Sequence, residues 1–145
     1  MKESDFYQRH IRKMSGVLHL ERIESSVGTG FPDVSVAGGG KQFLIETKVS
    51  KIGEGKEWLY FERFQLSFYA KRLRFTDDRG IYVIALCQNE IKFWHAKDLI
   101  DSPREPYKKW NRILLNTALE PFITLTKPWG VRDMEISALR MIKET

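Results

Sequence analysis

Pro32-Asp33 and Glu46-Thr47-Lys48 are the residues of this chain best placed to do chemistry together. Each lies in a strand-like run, and Gly38-Gly39-Gly40 between them reads as the turn of a hairpin. Side chains alternate along a strand, so Glu46 and Lys48 project together while Thr47 points away. The antiparallel return brings Asp33 back beside them. Two carboxylates at a strand edge suit a hard divalent cation, because Mg2+ binds through one or two carboxylates, keeps waters and completes its shell with substrate phosphate. A metal-bound water loses its proton more easily. A neighbouring ammonium can orient that water or stabilise charge on phosphorus. The chemistry implied is metal-assisted phosphodiester hydrolysis.

Glu-x-Lys alone carries little weight. A chain with 12 Glu and 13 Lys in 145 residues is expected to contain about one by chance, and this one contains three. Glu54-Gly55-Lys56 falls in a loop and Glu90-Ile91-Lys92 at a turn, with no acidic strand-mate before either. Pro-Asp occurs once, and its Asp33 stands thirteen residues before Glu46 across the glycine turn. A second account stays open, with Asp33 capping a turn and Glu46–Lys48 a cross-strand charge pair on a wet sheet face.

Other chemistries find less support. Gly38-Gly39-Gly40-Lys41 is followed by Gln42 and opens a strand, whereas a phosphate loop needs Ser or Thr there and must open a helix. No GxGxxG occurs, and His10, His19 and His95 are scattered, with no nucleophile elbow beside them. The single cysteine, Cys87, excludes an internal disulfide and a Cys-based zinc site.

The elements that must position these groups follow from periodicity. A helix is expected over 3–14, where Glu3, Phe6, Tyr7, His10, Ile11 and Met14 share a face. Strands are expected over 17–24, 31–37 and 42–49, with a small-residue loop bearing Gly28 and Gly30 after the first. Residues 50–56 read as a charged loop and 59–74 as a helix carrying Phe61, Phe64, Phe68, Tyr69 and Leu73. A second hairpin, 81–86 with 91–95, follows. Beyond residue 96 the pattern weakens to one strand at 122–126 and a closing helix at 131–143. The order predicts an α/β class fold, a mixed α+β sheet flanked by helices, in one domain over 1–145.

The charge balance, 24 basic against 19 acidic residues, gives +5 and favours a polyanionic partner. The excess is spread along the chain, so a binding face must be assembled by folding. No apolar run is long enough to span a membrane, and no signal-like stretch follows the charged N-terminus. A cytoplasmic, intracellular location is expected.

The residues Gly30-Phe31-Pro32-Asp33, Glu46-Thr47-Lys48 after Ile45, and Gln65 in the following helix resemble the PD-(D/E)xK nuclease superfamily. Within it the likeness is to the Holliday-junction resolvase and VRR-NUC branch. The resemblance spans residues 3–95 and implies a restriction-endonuclease-like core, helix-β-β-β-helix-β, with 96–145 as a C-terminal elaboration. It implies that Asp33, Glu46 and the Thr47 carbonyl ligate Mg2+ or Mn2+. Lys48 then positions the attacking water, and Gln65 orients Lys48 or a phosphate. Glu3 is the candidate first-helix acid, with Glu21 and Glu24 as rivals.

Two clusters suit a phosphate backbone. Lys71, Arg72 and Arg74 close the second helix, where cations also favour the helix dipole. Lys108, Lys109, Trp110 and Arg112 interleave cations with an aromatic ring, suited to phosphate contact and base stacking. The implied activity is Mg2+-dependent hydrolysis of DNA, branched or junction DNA above all, and a homodimer would match a symmetric junction. The alternatives are a catalytically inert nucleic-acid-binding or assembly module that keeps the fold, and a sequence-specific restriction-type enzyme.

Overall fold

A central sheet and a smaller second sheet organise the computed structural model, which describes residues 1–23, 30–77 and 79–145. Glu24 and Gly28 lie outside the described residues. The chain opens with α1 (Glu3–Arg9), continues as a 3-10 segment (Ile11–Gly16), and enters β1 (His19–Arg22). Next come β2 (Val34–Gly38), β3 (Lys41–Val49), β4 (Lys51–Gly53), β5 (Lys56–Glu62) and α2 (Gln65–Leu73). The remainder is β6 (Ile81–Cys87), β7 (Glu90–His95), α3 (Ala96–Ile100), β8 (Glu105–Tyr107), β9 (Trp110–Leu114), β10 (Ile123–Thr126) and α4 (Val131–Glu144).

The six-stranded sheet runs β1-β2-β3-β6-β7-β10. All its neighbours are antiparallel except β3 and β6, which pair in parallel from Leu44↔Ile81 to Val49↔Leu86. A parallel pair needs a crossover, here supplied by β4, β5 and α2. Central β6 is buried along its whole length, as expected of a strand covered on both faces. On one face Phe6, Ile11 and Met14 pack with Met134, Ala138 and Met141 of α4 against Val36, Phe43 and Ile45. On the other, Leu66, Tyr69 and Leu73 of α2 join Leu59, Phe61 and Ile113 over Leu44, Ile81 and Val83.

The β2–β3 turn is Gly39-Gly40, with φ of 58° and 76°, a two-residue turn that needs positive φ at both positions. It fixes the register Val34↔Ile45 and so places Asp33 opposite the Glu46-Thr47-Lys48 stretch. Along β3, Leu44 faces α2, so Glu46 and Lys48 continue that row where apolar packing gives way to polar groups.

The mixed α+β sheet flanked by helices expected from the sequence is the architecture observed. One stretch differs. The helix expected over 59–74 is a strand, β5, followed by the shorter α2, and the loop expected over 50–56 contains β4 and its turn to β5. Phe61, Phe64 and Phe68 recur at helical steps, but 56–62 also alternates, and β9 pairs with it from Trp58↔Leu114 to Glu62↔Trp110. Tertiary pairing decides a segment with both periodicities. The first helix is likewise cut short, its second half tightening to a 3-10 segment from Ile11. Residues 96–145 are built into the body of the fold: β10 borders the main sheet, α4 covers one face, and β8–β9 complete the four-stranded sheet β4-β5-β9-β8.

Candidate active site

Three elements converge on one cleft of about 460 Å3, lined by Asp33, Glu46, Lys48, Gln65 and Glu3 among others. Asp33 stands at the entrance to β2, just after buried Pro32. Its Oδ1 accepts the Thr47 backbone N–H at 3.0 Å and its Oδ2 the Thr47 hydroxyl at 2.5 Å. Thr47 therefore has a side-chain role that strand alternation did not suggest: it holds the Asp33 carboxylate in place. Burial pushes Asp33 up from its ordinary acidity, while the two Thr47 hydrogen bonds and then Lys48 oppose the rise.

Glu46 is 3% exposed and Lys48 4%. Lys48 Nζ lies 3.5 Å from Glu46 Oε2, donates to Gln65 Oε1 at 3.0 Å, and sits 4.7 Å from the centre of the Phe61 ring. Gln65 Nε2 in turn donates to Glu46 Oε2 at 3.3 Å, and Gln65 Oε1 also accepts the Glu62 N–H at 2.7 Å. The amide thus clamps both charged groups and ties them to the end of β5. Burial first, then Asp33 and Glu3, push the Glu46 carboxyl up to about 8 against the opposing pull of Lys48 and Tyr69. Its Oε1 is buried with no hydrogen-bond partner among the described residues.

Gly30 lets α2 come this close. Its φ is 79°, and a Cβ there would lie 2.9 Å from Gln65 Cα and 3.2 Å from the Phe64 carbonyl. The glycine ahead of Pro-Asp is a packing requirement between the segment bearing Asp33 and the helix bearing Gln65.

The half-buried Asp33 carboxylate and the buried Glu46, whose Oε1 has no partner among the described residues, fit a hard cation such as Mg2+ or Mn2+. Among the described residues no three His, Cys, Asp or Glu side chains form a cage that could hold a metal. Asp33 and Glu46 would therefore hold the ion with a main-chain carbonyl, water and substrate phosphate. Glu3 lines the same cleft, and its carboxyl is raised by desolvation first, with Lys48 opposing and Asp33 adding. Its rival Glu21 is exposed on β1, opposite Ser35, and does not line the cleft.

The binding clusters divide. Lys108 and Trp110 line the cleft, and Lys109 sits beside them with Nζ 5.7 Å from the centre of the Trp110 ring. Lys71, Arg72 and Arg74 are exposed at the far end of α2 and do not line it. Arg112, expected to contact phosphate, is buried instead. Its Nη2 is 2.7 Å from Glu105 and 3.4 Å from Glu54, and its guanidinium lies 3.8 Å from the Trp58 ring centre and 4.2 Å from that of Tyr107. It faces Glu105 across a strand pair, and Trp58 and Tyr107 cover it there, so it binds the second sheet together.

Sequence reasoning missed Tyr69 as a neighbour of the site. It is fully buried one turn after Gln65, and its hydroxyl approaches Glu46 without a well-formed hydrogen bond. Burial and Glu46 push its ionisation well up, so the phenol stays protonated as a donor. The signal was the four-residue step from Gln65 to Tyr69, which puts both on one helix face. Lys51 of β4, Tyr60 and Glu62 of β5 and Tyr107 of β8 also line the cleft, and Tyr60 and Glu62 lie where the sequence suggests a helix.

No family model matches the chain, and no curated protein matches it. Among solved structures it aligns with a Holliday junction resolvase (Hjc) from Archaeoglobus fulgidus at a TM-score of 0.51 and 17% identity, covering 94% of this chain and 99% of that one. The chain has a resolvase-like nuclease fold. A second neighbour is D212, a nuclease from a fusselovirus, at a TM-score of 0.50 and 9% identity, covering 97% of this chain and 85% of the other. Both alignments span nearly the whole of this chain, including most of the segment after residue 95. No helix among the described residues is long and apolar enough to cross a membrane.

Proposed function

We propose that this protein is a Mg2+- or Mn2+-dependent DNA endonuclease that acts on branched or junction DNA. The observation that supports it is the meeting of Asp33, Glu46, Lys48 and Gln65 in one cleft, with a buried Glu46 oxygen free to take a ligand. The fold shared with a Holliday junction resolvase and a viral nuclease supports the same reading.

In this reading Asp33 and Glu46 hold the cation, with Thr47 fixing Asp33. The cation, when bound, supplies Lewis acidity at the phosphate and lowers the pKa of attacking water. Lys48 stands where it can orient that water and stabilise the added negative charge on phosphorus. Gln65 keeps the ammonium from collapsing fully onto Glu46, since its own Oε1 takes one ammonium hydrogen at 3.0 Å. Water adds to phosphorus, the P–O bond to the leaving strand breaks, and that oxygen takes up a proton. A homodimer would present two such clefts to a symmetric junction.

The test is incubation with a four-way junction, a flap and a matched linear duplex in Mg2+, Mn2+ or EDTA, alongside Lys48→Ala and Asp33→Ala. Cation-dependent cutting, lost in both variants and strongest on branched substrates, is the expected result. DNA binding without cutting in either metal would overturn the catalytic reading in favour of an inert binding module.

A further inference from the structure

The outer face of the second sheet is unusual for a surface. Side chains alternate along β5, so Leu59 and Phe61 point into the core, and Trp58, Tyr60 and Glu62 take the opposite face. Register places Arg112 and Trp110 of β9 on that face beside Tyr60 and Glu62, and Tyr107 of β8 beside Trp110. A solvent-side face is ordinarily polar. This one presents three half-exposed rings, Tyr60, Tyr107 and Trp110, with Tyr60 and Tyr107 edge to face at 5.9 Å.

Each ring has a cation beside it. Lys51 Nζ is 5.8 Å from the Tyr60 centre, Lys108 Nζ 5.6 Å from Tyr107, and Lys109 Nζ 5.7 Å from Trp110. Among the described residues none of the three lysines forms an ion pair. Buried Arg112, stacked between Trp58 and Tyr107 and paired to Glu105, braces the rings of this face. The face is continuous with the candidate catalytic groups, since Tyr60, Tyr107, Lys108 and Trp110 line the same cleft as Asp33, Glu46 and Lys48.

We infer that this wall is a stacking site for an unpaired DNA base next to the scissile phosphate, with Trp110 and Tyr107 as the platform and Lys51, Lys108 and Lys109 holding the flanking phosphates. Rings stack on any base, while lysines track the backbone, which is how unpaired strands are bound without sequence preference. A base paired inside a duplex does not offer its face. The wall therefore selects DNA with an unpaired nucleotide, as at a flap or the crossover of a branch. The inference rests on the nuclease reading only for the position of the cut relative to the wall.

The experiment measures binding in EDTA, where no cutting occurs. Labelled oligothymidylate, the same oligomer with abasic sugars in place of its nucleotides, and a matched duplex are titrated against wild type, Trp110→Ala and Trp110→Phe. Stacking of one base contributes about 1–3 kcal/mol, so Trp110→Ala should weaken oligothymidylate binding about 5- to 160-fold, and Trp110→Phe should restore most of it. Duplex affinity should change less than twofold. The abasic oligomer should bind wild type as weakly as oligothymidylate binds Trp110→Ala, which tests the wall even if that variant folds poorly. Equal binding of abasic and normal oligomers, or equal loss for duplex and single strand in Trp110→Ala, would overturn the inference. Preserved stacking in a protein that cuts nothing would sink the nuclease reading and leave the wall standing. Cutting of junctions with no effect of Trp110 or of base removal would do the reverse.

Discussion

Replacing Glu46 with glutamine should stabilise the metal-free protein at pH 8 and change it little at pH 5. In the folded protein burial raises this carboxyl to about 8, whereas in the unfolded chain it titrates near 4.5. Between those values the folded state keeps a proton that the unfolded state has released. By linkage, the stability tied to this group is fully present below about 4.5 and lost as pH rises to about 8. A full proton difference costs about 1.4 kcal/mol per pH unit, so this window sets a ceiling of ~5 kcal/mol. Water entry to the site reduces the realised share to about 2–3 kcal/mol. For a chain of this length that is a rise in Tm on the order of 10 °C for Glu46→Gln at pH 8. Glutamine is nearly isosteric and can still accept from Gln65. The assay is thermal unfolding of both proteins in EDTA from pH 5 to 9. A variant that melts below wild type at pH 8, or a difference that does not shrink towards pH 5, would refute a dehydrated, poorly compensated carboxylate. Adding Mg2+ at pH 8 should raise the melting point of wild type much more than that of the variant, because only wild type exchanges a proton for the cation.

Three further expectations follow from the packing. Gly30→Ala forces a positive φ on alanine and drives its Cβ against Gln65. It should cost about 2–3 kcal/mol in denaturant unfolding and reduce cutting by more than its effect on folding explains, as the helix carrying Gln65 shifts. Gln65→Ala frees Lys48 and the Glu62 N–H together. It should lower kcat about 10- to 100-fold while changing KM little, read from single-turnover cleavage. Arg112→Lys keeps the charge but loses the planar stack between Trp58 and Tyr107. It should destabilise by about 1–2 kcal/mol in denaturant unfolding.

Much of the candidate site was legible because it is local. Asp33 and Glu46-Thr47-Lys48 sit on one hairpin whose glycine turn and alternation are visible in the residues, so their proximity follows from strand geometry. Gln65 was legible only through resemblance, since nothing in its neighbourhood shows that it would reach across to Lys48. The second sheet was not legible. Residues 56–62 satisfy helical and strand spacing at once, and their partner β9 lies about fifty residues later, in a segment whose own pattern is weak. With β5 hidden, the aromatic wall and the burial of Arg112 were hidden as well. An arginine among lysines in a basic, aromatic stretch reads as a phosphate contact until a strand register shows which way it faces.

The division between hairpin and crossover also bears on when the site matures during folding. Asp33 and Thr47, only 14 positions apart, are joined across a tight turn, and hairpins of this kind form in microseconds. Gln65 and Tyr69 arrive only after the chain has passed through β4 and β5 and docked α2, beside a parallel pair whose long loop is slow to close. In the early hairpin Glu46 is still hydrated and behaves as an ordinary carboxyl. Its raised pKa is a product of the burial that docking of α2 completes. A nascent or misfolded chain can thus hold Asp33, Glu46 and Lys48 near one another while lacking the dry, clamped environment of the candidate site, which exists only once α2 has docked.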